Sequence, residues 1–280
     1  MNQFASWDDY RKFESTVRYV QRYIPTAQTE AFLENVRRTA KLRVLVIRKG
    51  WNHLWRAQRG SCEREVKQDG ESFYKSQAYA PARMKPRESI GREGRVNPKG
   101  ISCFYCATDR GTAMAEVRPW IGSLVSVGRF EVLRDVQIVD CSKYHSKNSY
   151  YPLLDEPRGS SPTSHKIEEA VWTDIDHAFS EPVTESDDLP DYIATQILAE
   201  VFKTENYGGV AYKSLLTEAG FNLAFFDPGI VKQVSGELYK IESVQFNFSD
   251  SPTDQYFIDE EGNTVRNVIV ATAPVPHDAA

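Results

Sequence analysis

Two groups of residues in this sequence have the types and spacing to act on a phosphate-bearing substrate. The first is cationic: Leu54-Trp55-Arg56-Ala57, Arg83-Met84-Lys85-Pro86 and Gly91-Arg92-Glu93-Gly94-Arg95-Val96-Asn97-Pro98-Lys99-Gly100 set arginines beside aromatic, proline or glycine residues. In the third stretch the glycines and proline predict a tight turn that presents guanidinium and backbone N–H groups together. That combination suits a phosphate or pyrophosphate, because the planar guanidinium fork meets phosphate oxygens with two bonds. A solvated turn with surface ion pairs satisfies the same pattern. The second group centres on Glu116, early in the small-residue helix Thr112-Ala113-Met114-Ala115-Glu116-Val117-Arg118, directly after the run that carries Tyr105. Such a helix can approach a sheet closely and bring a carboxylate to a cleft at a strand end. On pattern alone a surface glutamate paired with Arg118 or Arg110 is the commoner outcome. Ser214, ending Val210-Ala211-Tyr212-Lys213-Ser214, reads on the same grounds as a turn cap.

Other chemistries find little support. Cys103-Phe104-Tyr105-Cys106 is a lone CxxC inside an apolar run that reads as a strand, where residues i and i+3 point to opposite faces. Cys62, Cys103, Cys106 and Cys141 are therefore expected to be core thiols in a reducing compartment, with no metal site. The histidines form no HExxH, and GxGxxG, GxxxxGK[ST] and GxSxG are missing. These absences argue against a doubly wound dinucleotide fold, a P-loop enzyme and an ordinary serine hydrolase.

The elements that must position these groups follow from periodicity. Asp8 and Asp9 can cap a helix with Phe13, Val17, Val20 and Ile24 on one stripe; Pro25-Thr26 interrupts it before a second helix with Ala31, Phe32, Val36 and Ala40, making residues 8–45 helical. The stretch from Arg59 to Gly100 is polar, with little periodicity, and is expected to be irregular. Ile101–Ala107 reads as a central strand, Thr108 or Asp109 as the cap of the Glu116 helix, and Leu124–Val132 and Val136–Asp140 as strands. Residues 142–190 look like an insertion or lid with one short helix from Ser164 to Ala178. Pro190-Asp191 starts a helix striped by Ile193, Ile197, Leu198, Val201 and Phe202, and strand-like runs follow at 209–213, 221–226, 238–248 and 264–272. The fold class is α+β.

Composition and charge bound the partners. With 280 residues, 41% hydrophobic and 26% charged, the chain is a globular one that needs no staples. It has no bilayer-length apolar run, and its first residues lack the order of a secretory leader, so a cytoplasmic protein with no membrane partner is expected. Residues 1–100 hold 21 Lys and Arg against 11 Asp and Glu, whereas the rest is acidic enough to bring the total to −5. The basic residues are dispersed and no nucleic-acid motif accompanies them, so a phosphate-bearing small molecule or the chain's own acidic remainder is expected to face them, without direct nucleic-acid binding.

Taken in order, Leu54–Ala57, Gly94–Gly100, Phe104-Tyr105-Cys106-Ala107-Thr108-Asp109, Ala113–Arg118 and Gly208-Gly209-Val210-Ala211-Tyr212-Lys213-Ser214 resemble the successive signatures of the RES domain family. Many members of that family are toxins of RES-Xre toxin–antitoxin pairs that destroy NAD. The resemblance implies an ADP-ribosyltransferase-like fold, a split β-sheet around an NAD cleft, spanning residues 50–275. Residues 1–49 form a helical extension, and 142–190 an insertion. It implies NAD as substrate rather than cofactor, with Glu116, Arg95 and Tyr105 catalytic and Arg56, Arg95, Tyr105 and Ser214 binding NAD. Inorganic phosphate as acceptor makes the enzyme an NAD phosphorylase, water an NAD glycohydrolase, and a macromolecule an ADP-ribosyltransferase. An Xre-like helix-turn-helix antitoxin is the implied partner. A non-catalytic NAD or ADP-ribose binding module is the alternative.

Overall fold

Alternation along the strands decides which side of the sheet each residue serves. A computed structural model describes residues 3–86, 91–145, 162–181, 192–218, 220–245, 256–258, 261 and 264–266. Its helices are α1 (Asp9–Tyr19), α2 (Ala27–Ala40), α3 (Pro81–Met84), α4 (Arg110–Glu116), α5 (Ser164–Ser180) and α6 (Ile193–Thr204). The strands are β1 (Val44–Ile47), β2 (Leu54–Arg59), β3 (Cys62–Gln68), β4 (Glu71–Gln77), β5 (Phe104–Ala107), β6 (Leu124–Val132), β7 (Val136–Asp140), β8 (Gly209–Lys213), β9 (Phe221–Phe225) and β10 (Val231–Lys240). Eight of them form one sheet in the order β1-β7-β8-β9-β5-β2-β6-β10, a mixed α+β architecture with N-terminal helices. The segment from Ser243 onward is a separate unit in which β11 (Tyr256–Ile258) pairs antiparallel with β12 (Thr264–Arg266).

Both faces of the sheet are covered. Phe104 and Cys106 of β5 enter one apolar cluster with Leu54, Phe130, Ile138 and Phe225. Cys103 and Tyr105 turn to the other cluster, beside Val139, Val210, Tyr212 and Ala224. The two cysteines of the CxxC thus face opposite sides, as period 2 requires. Helices α1, α2, α5 and α6 close the second face with Phe13, Phe32, Trp172, Phe179 and Phe202. Buried Trp172 spends its N–H on Thr39 Oγ1 at 2.9 Å, tying α5 to α2. Among the described residues no helix is long and apolar enough to cross a membrane.

Several expectations need correction. Helix α1 stops at Tyr19, and Val20 and Ile24 are 78% and 73% exposed, because the chain turns before Pro25 to bring α2 back. Residues 44–47 are strand β1, paired antiparallel with β7, rather than helix. The stretch from Arg59 holds the hairpin β3–β4, closed by Asp69-Gly70 with φ of 53° and 86°. Both residues occupy the left-handed region, as a two-residue hairpin turn of this hand demands. The run expected at 238–248 is β10, seven residues earlier at its start, with a register shift between Gln233 and Ser235 that breaks the alternation. Within 142–190, α5 extends to Ser180 and is a core helix: Val171, Trp172, Ile175 and Phe179 are fully buried. Residues 146–161, 182–191, 246–248 and 267–272, on which other parts of these expectations fall, lie outside the described residues.

Candidate active site

The sheet has a seam. β2 pairs with β6 along its whole length, yet with β5 at one position only, Trp55 opposite Ala107. Arg56 spans the gap, donating from its guanidinium to the Tyr105 carbonyl at 2.7 Å. Its Nε is buried without a hydrogen-bond partner. Burial foremost, and the nearby Arg83 charge to a lesser degree, pull the Arg56 pKa below its ordinary value.

Two clefts open on either side of this crossing and share Arg56 and Tyr105 as walls. One, of about 260 Å³, is lined by Trp55, Tyr212, Asn222 and Glu116. The other, of about 470 Å³, is lined by Arg83, Lys85, Arg92 and Asn97 among others. Glu116 reaches the first cleft from the last residue of α4, not from early in that helix as the sequence suggests. Asp109 caps the start of the helix, accepting from the Thr112 N–H at 2.8 Å.

Glu116 is held by residues remote in sequence. Its Oε1 accepts from Ser214 Oγ at 2.8 Å, 98 positions away, and from Asn222 Nδ2 at 2.6 Å. Among the described residues Oε2 takes no hydrogen bond. Arg110, the surface partner that the pattern offered, turns instead to Glu237. Ser214 is also the turn cap that its pattern suggested, since its Oγ accepts from the Leu216 N–H at 3.2 Å.

Tyr105 gives its hydroxyl to the glycine-rich loop: it donates to Asn97 Oδ1 at 2.6 Å and accepts from the Val96 N–H at 3.0 Å. Burial holds the phenol well above its usual pKa, so this hydroxyl stays a donor and only the ring is offered to the clefts. Asn97 Nδ2 in turn donates to the Arg92 and Ile101 carbonyls at 2.8 and 2.7 Å, and Gln196 Nε2 to the Gly94 and Asn97 carbonyls at 3.0 and 3.1 Å. The loop is therefore clamped from inside and from α6.

Arg95 lines neither of these two clefts. Its guanidinium lies over Tyr192 and Tyr212, 5.7 and 5.9 Å from their ring centroids, and makes long contacts of 3.4 and 3.5 Å to the Ala178 and Ser180 carbonyls at the end of α5. Burial raises the Tyr212 phenol, with Arg95 opposing and Glu116 adding to the effect, which fits a ring set between the two charges. Sequence reasoning brought Glu116 and Ser214 into one set but missed Asn222, Tyr212 and Gln196. A polar residue at the second position of Phe221-Asn222-Leu223, inside an apolar strand, was the available signal for Asn222.

An exposed carboxylate held by two donors, an aromatic cleft and an adjoining cationic one together make a candidate site for a ligand with an anionic portion. The chain matches the RES domain over residues 53–245 and belongs to that family. The crystal structure of the M. tuberculosis MbcT–MbcA toxin–antitoxin complex is similar at 13% identity with a TM-score of 0.33, over 73% of this chain and 92% of that one. No curated protein matches the chain.

Proposed function

We propose that this protein breaks the bond between nicotinamide and ribose in NAD, as an NAD phosphorylase or NAD glycohydrolase on an ADP-ribosyltransferase-like fold. One observation carries the reading: Glu116 is fixed through Oε1 by Ser214 and Asn222, with its second oxygen left to an aromatic cleft. When the bond from ribose C1′ to the pyridinium nitrogen breaks, the electron pair goes to nicotinamide and neutralises it. Positive charge then develops on the sugar. A preorganised carboxylate gains interaction energy as that charge grows, the kind of electrostatic help that is the largest catalytic contribution in many enzymes. An oxygen of phosphate or water then bonds to C1′ and gives up its proton.

Trp55, Tyr105 and Tyr212 supply flat faces for the nicotinamide and ribose, and Arg56 stands where the aromatic and cationic clefts meet. Membership of the RES family supports a toxin role, with an Xre-like helix-turn-helix antitoxin encoded beside it. Mass analysis of the product formed from NAD with and without phosphate separates phosphorylase from glycohydrolase. Single-turnover nicotinamide release tests the site: Glu116→Gln keeps size and removes charge. It is expected to slow release by about a hundredfold or more with a smaller change in NAD affinity. A folded variant that cleaves NAD at the parental rate refutes the assignment. A parent that releases no nicotinamide with any acceptor replaces the enzyme by a binding module.

A further inference from the structure

We infer that the cleft bounded by Arg56, Arg83, Lys85 and Arg92 is a diphosphate site, and that Arg83 and Arg92, rather than Arg95, grip the diphosphate of the bound dinucleotide. In naming the dinucleotide this rests on the function proposed above. Three observations carry it. First, among the described residues the cations of the cleft lack carboxylate partners. Some arginines elsewhere pair with carboxylates, as in Arg11–Asp174, Arg37–Glu30, Arg48–Asp135 and Arg134–Asp227. The acid on the wall of the cleft, Glu93, accepts instead from Gln196 Nε2 at 3.0 Å. Like charges gathered around a cleft of about 470 Å³ repel, and an anion of matching size removes that cost.

Second, the backbones that carry the two forks are fixed. Gln58 Nε2 donates to the Arg83 carbonyl at 2.9 Å, and Asn97 Nδ2 to the Arg92 carbonyl at 2.8 Å. The Arg83 guanidinium also lies over the Tyr79 ring, 5.2 Å from its centroid. A planar fork carried on a held backbone loses less freedom per bond when it meets phosphate oxygens in pairs. Third, the cleft adjoins the Glu116 cleft, with Arg56 and Tyr105 lining both, so an ester held here by its diphosphate would have its ribose beside the cleft that holds the carboxylate.

The test is equilibrium binding of ADP-ribose, adenosine and inorganic phosphate to the parent, to the Arg83→Gln/Arg92→Gln double variant, and to the corresponding double lysine variant. The glutamine pair is expected to weaken ADP-ribose at least tenfold while leaving adenosine and the melting temperature as in the parent. The lysine pair, which keeps the charge and loses the fork, is expected to fall between. Inorganic phosphate that displaces ADP-ribose from the parent but not from the glutamine pair supports the same cations as its anchor. Parental ADP-ribose affinity in the glutamine pair, or equal losses for adenosine and ADP-ribose, overturns the inference. ADP-ribose lacks nicotinamide, so the two readings fail separately. Binding through Arg83 and Arg92 in a parent that releases no nicotinamide keeps this site and removes the enzyme. NAD cleavage by the parent together with parental ADP-ribose affinity in the glutamine pair does the reverse. A parent that binds no ADP-ribose removes this site and leaves the enzyme to the nicotinamide-release assay.

Discussion

Glu116 occupies the electrostatically poor end of its helix. A carboxylate at a helix C-terminus meets the negative pole of the peptide dipoles, a contact avoided where nothing compensates it. Here Ser214 and Asn222 compensate by donating to it at 2.8 and 2.6 Å. Asp176 makes a similar argument away from the clefts. It is fully buried on α5, accepts from Ser180 Oγ at 3.2 Å, lies 3.5 Å from His145 Nδ1, and has Arg43 and Asp140 nearby. Burial pushes its carboxyl up from 3.8 to about 7. An acid that keeps its proton more firmly when folded contributes stability that is complete below about pH 4 and lost as pH rises through about 7, on the order of 4 kcal/mol for a shift of this size. Asp176→Asn is therefore expected to gain on the parent in melting temperature as pH goes from 5 to 8. Thermal melts of both proteins across that range check this, and a difference that does not vary with pH rejects it.

At the scale of elements, the loop from Gly91 to Gly100 depends on one close approach. A Cβ on Gly94 would stand 2.6 Å from the Tyr105 hydroxyl and 3.2 Å from Asn97 Oδ1, the two groups that clamp the loop. Gly94→Ala is expected to cost about 1–3 kcal/mol, through the steric insertion and the broken clamp, and to weaken ADP-ribose binding by displacing Arg92. Adding Tyr105→Phe removes the clashing oxygen, and recovery of part of the lost stability in denaturant unfolding would confirm the cause; a neutral Gly94→Ala would dismiss it. The glycines, proline and arginines of this loop were legible in the sequence because turn chemistry is local. Its clamp was not, since Gln196 lies 102 positions from Gly94. The β3–β4 hairpin escaped for a different reason: β4 is exposed along its whole length, so no hydrophobic alternation signals it, and only Asp69-Gly70 betrays the turn. Central strands such as β5 were readable because burial on both faces leaves an unbroken apolar run.

For the whole molecule, the family match begins at residue 53, after α1, α2 and β1 have ended, yet the core does not divide there. Phe13 and Phe32 stack with centroids 4.6 Å apart, and both belong to the cluster that holds Trp172, Phe202 and Tyr212. Ion pairs join the basic first part of the chain to its acidic remainder, Arg11 to Asp174 and Arg48 to Asp135 among them, so part of the charge asymmetry is satisfied internally. The same packing leads to the site, because α6 supplies Gln196 to the loop and the end of α5 meets Arg95. Helices that share a core with the sheet should unfold with it. Phe32→Ala is expected to cost about 3–5 kcal/mol, the usual loss for a buried phenylalanine. The helical far-ultraviolet signal and the tryptophan fluorescence should still fall in one coincident transition. Denaturant titration followed by both probes measures this. An earlier helical transition that leaves the fluorescence native would show that α1 and α2 are an appendage, and the RES region could then fold from residue 50 alone. A single transition would mean that nicotinamide release in Phe32→Ala tracks the folded fraction, since the clamp on the Arg92 loop is anchored in the core that the first two helices complete.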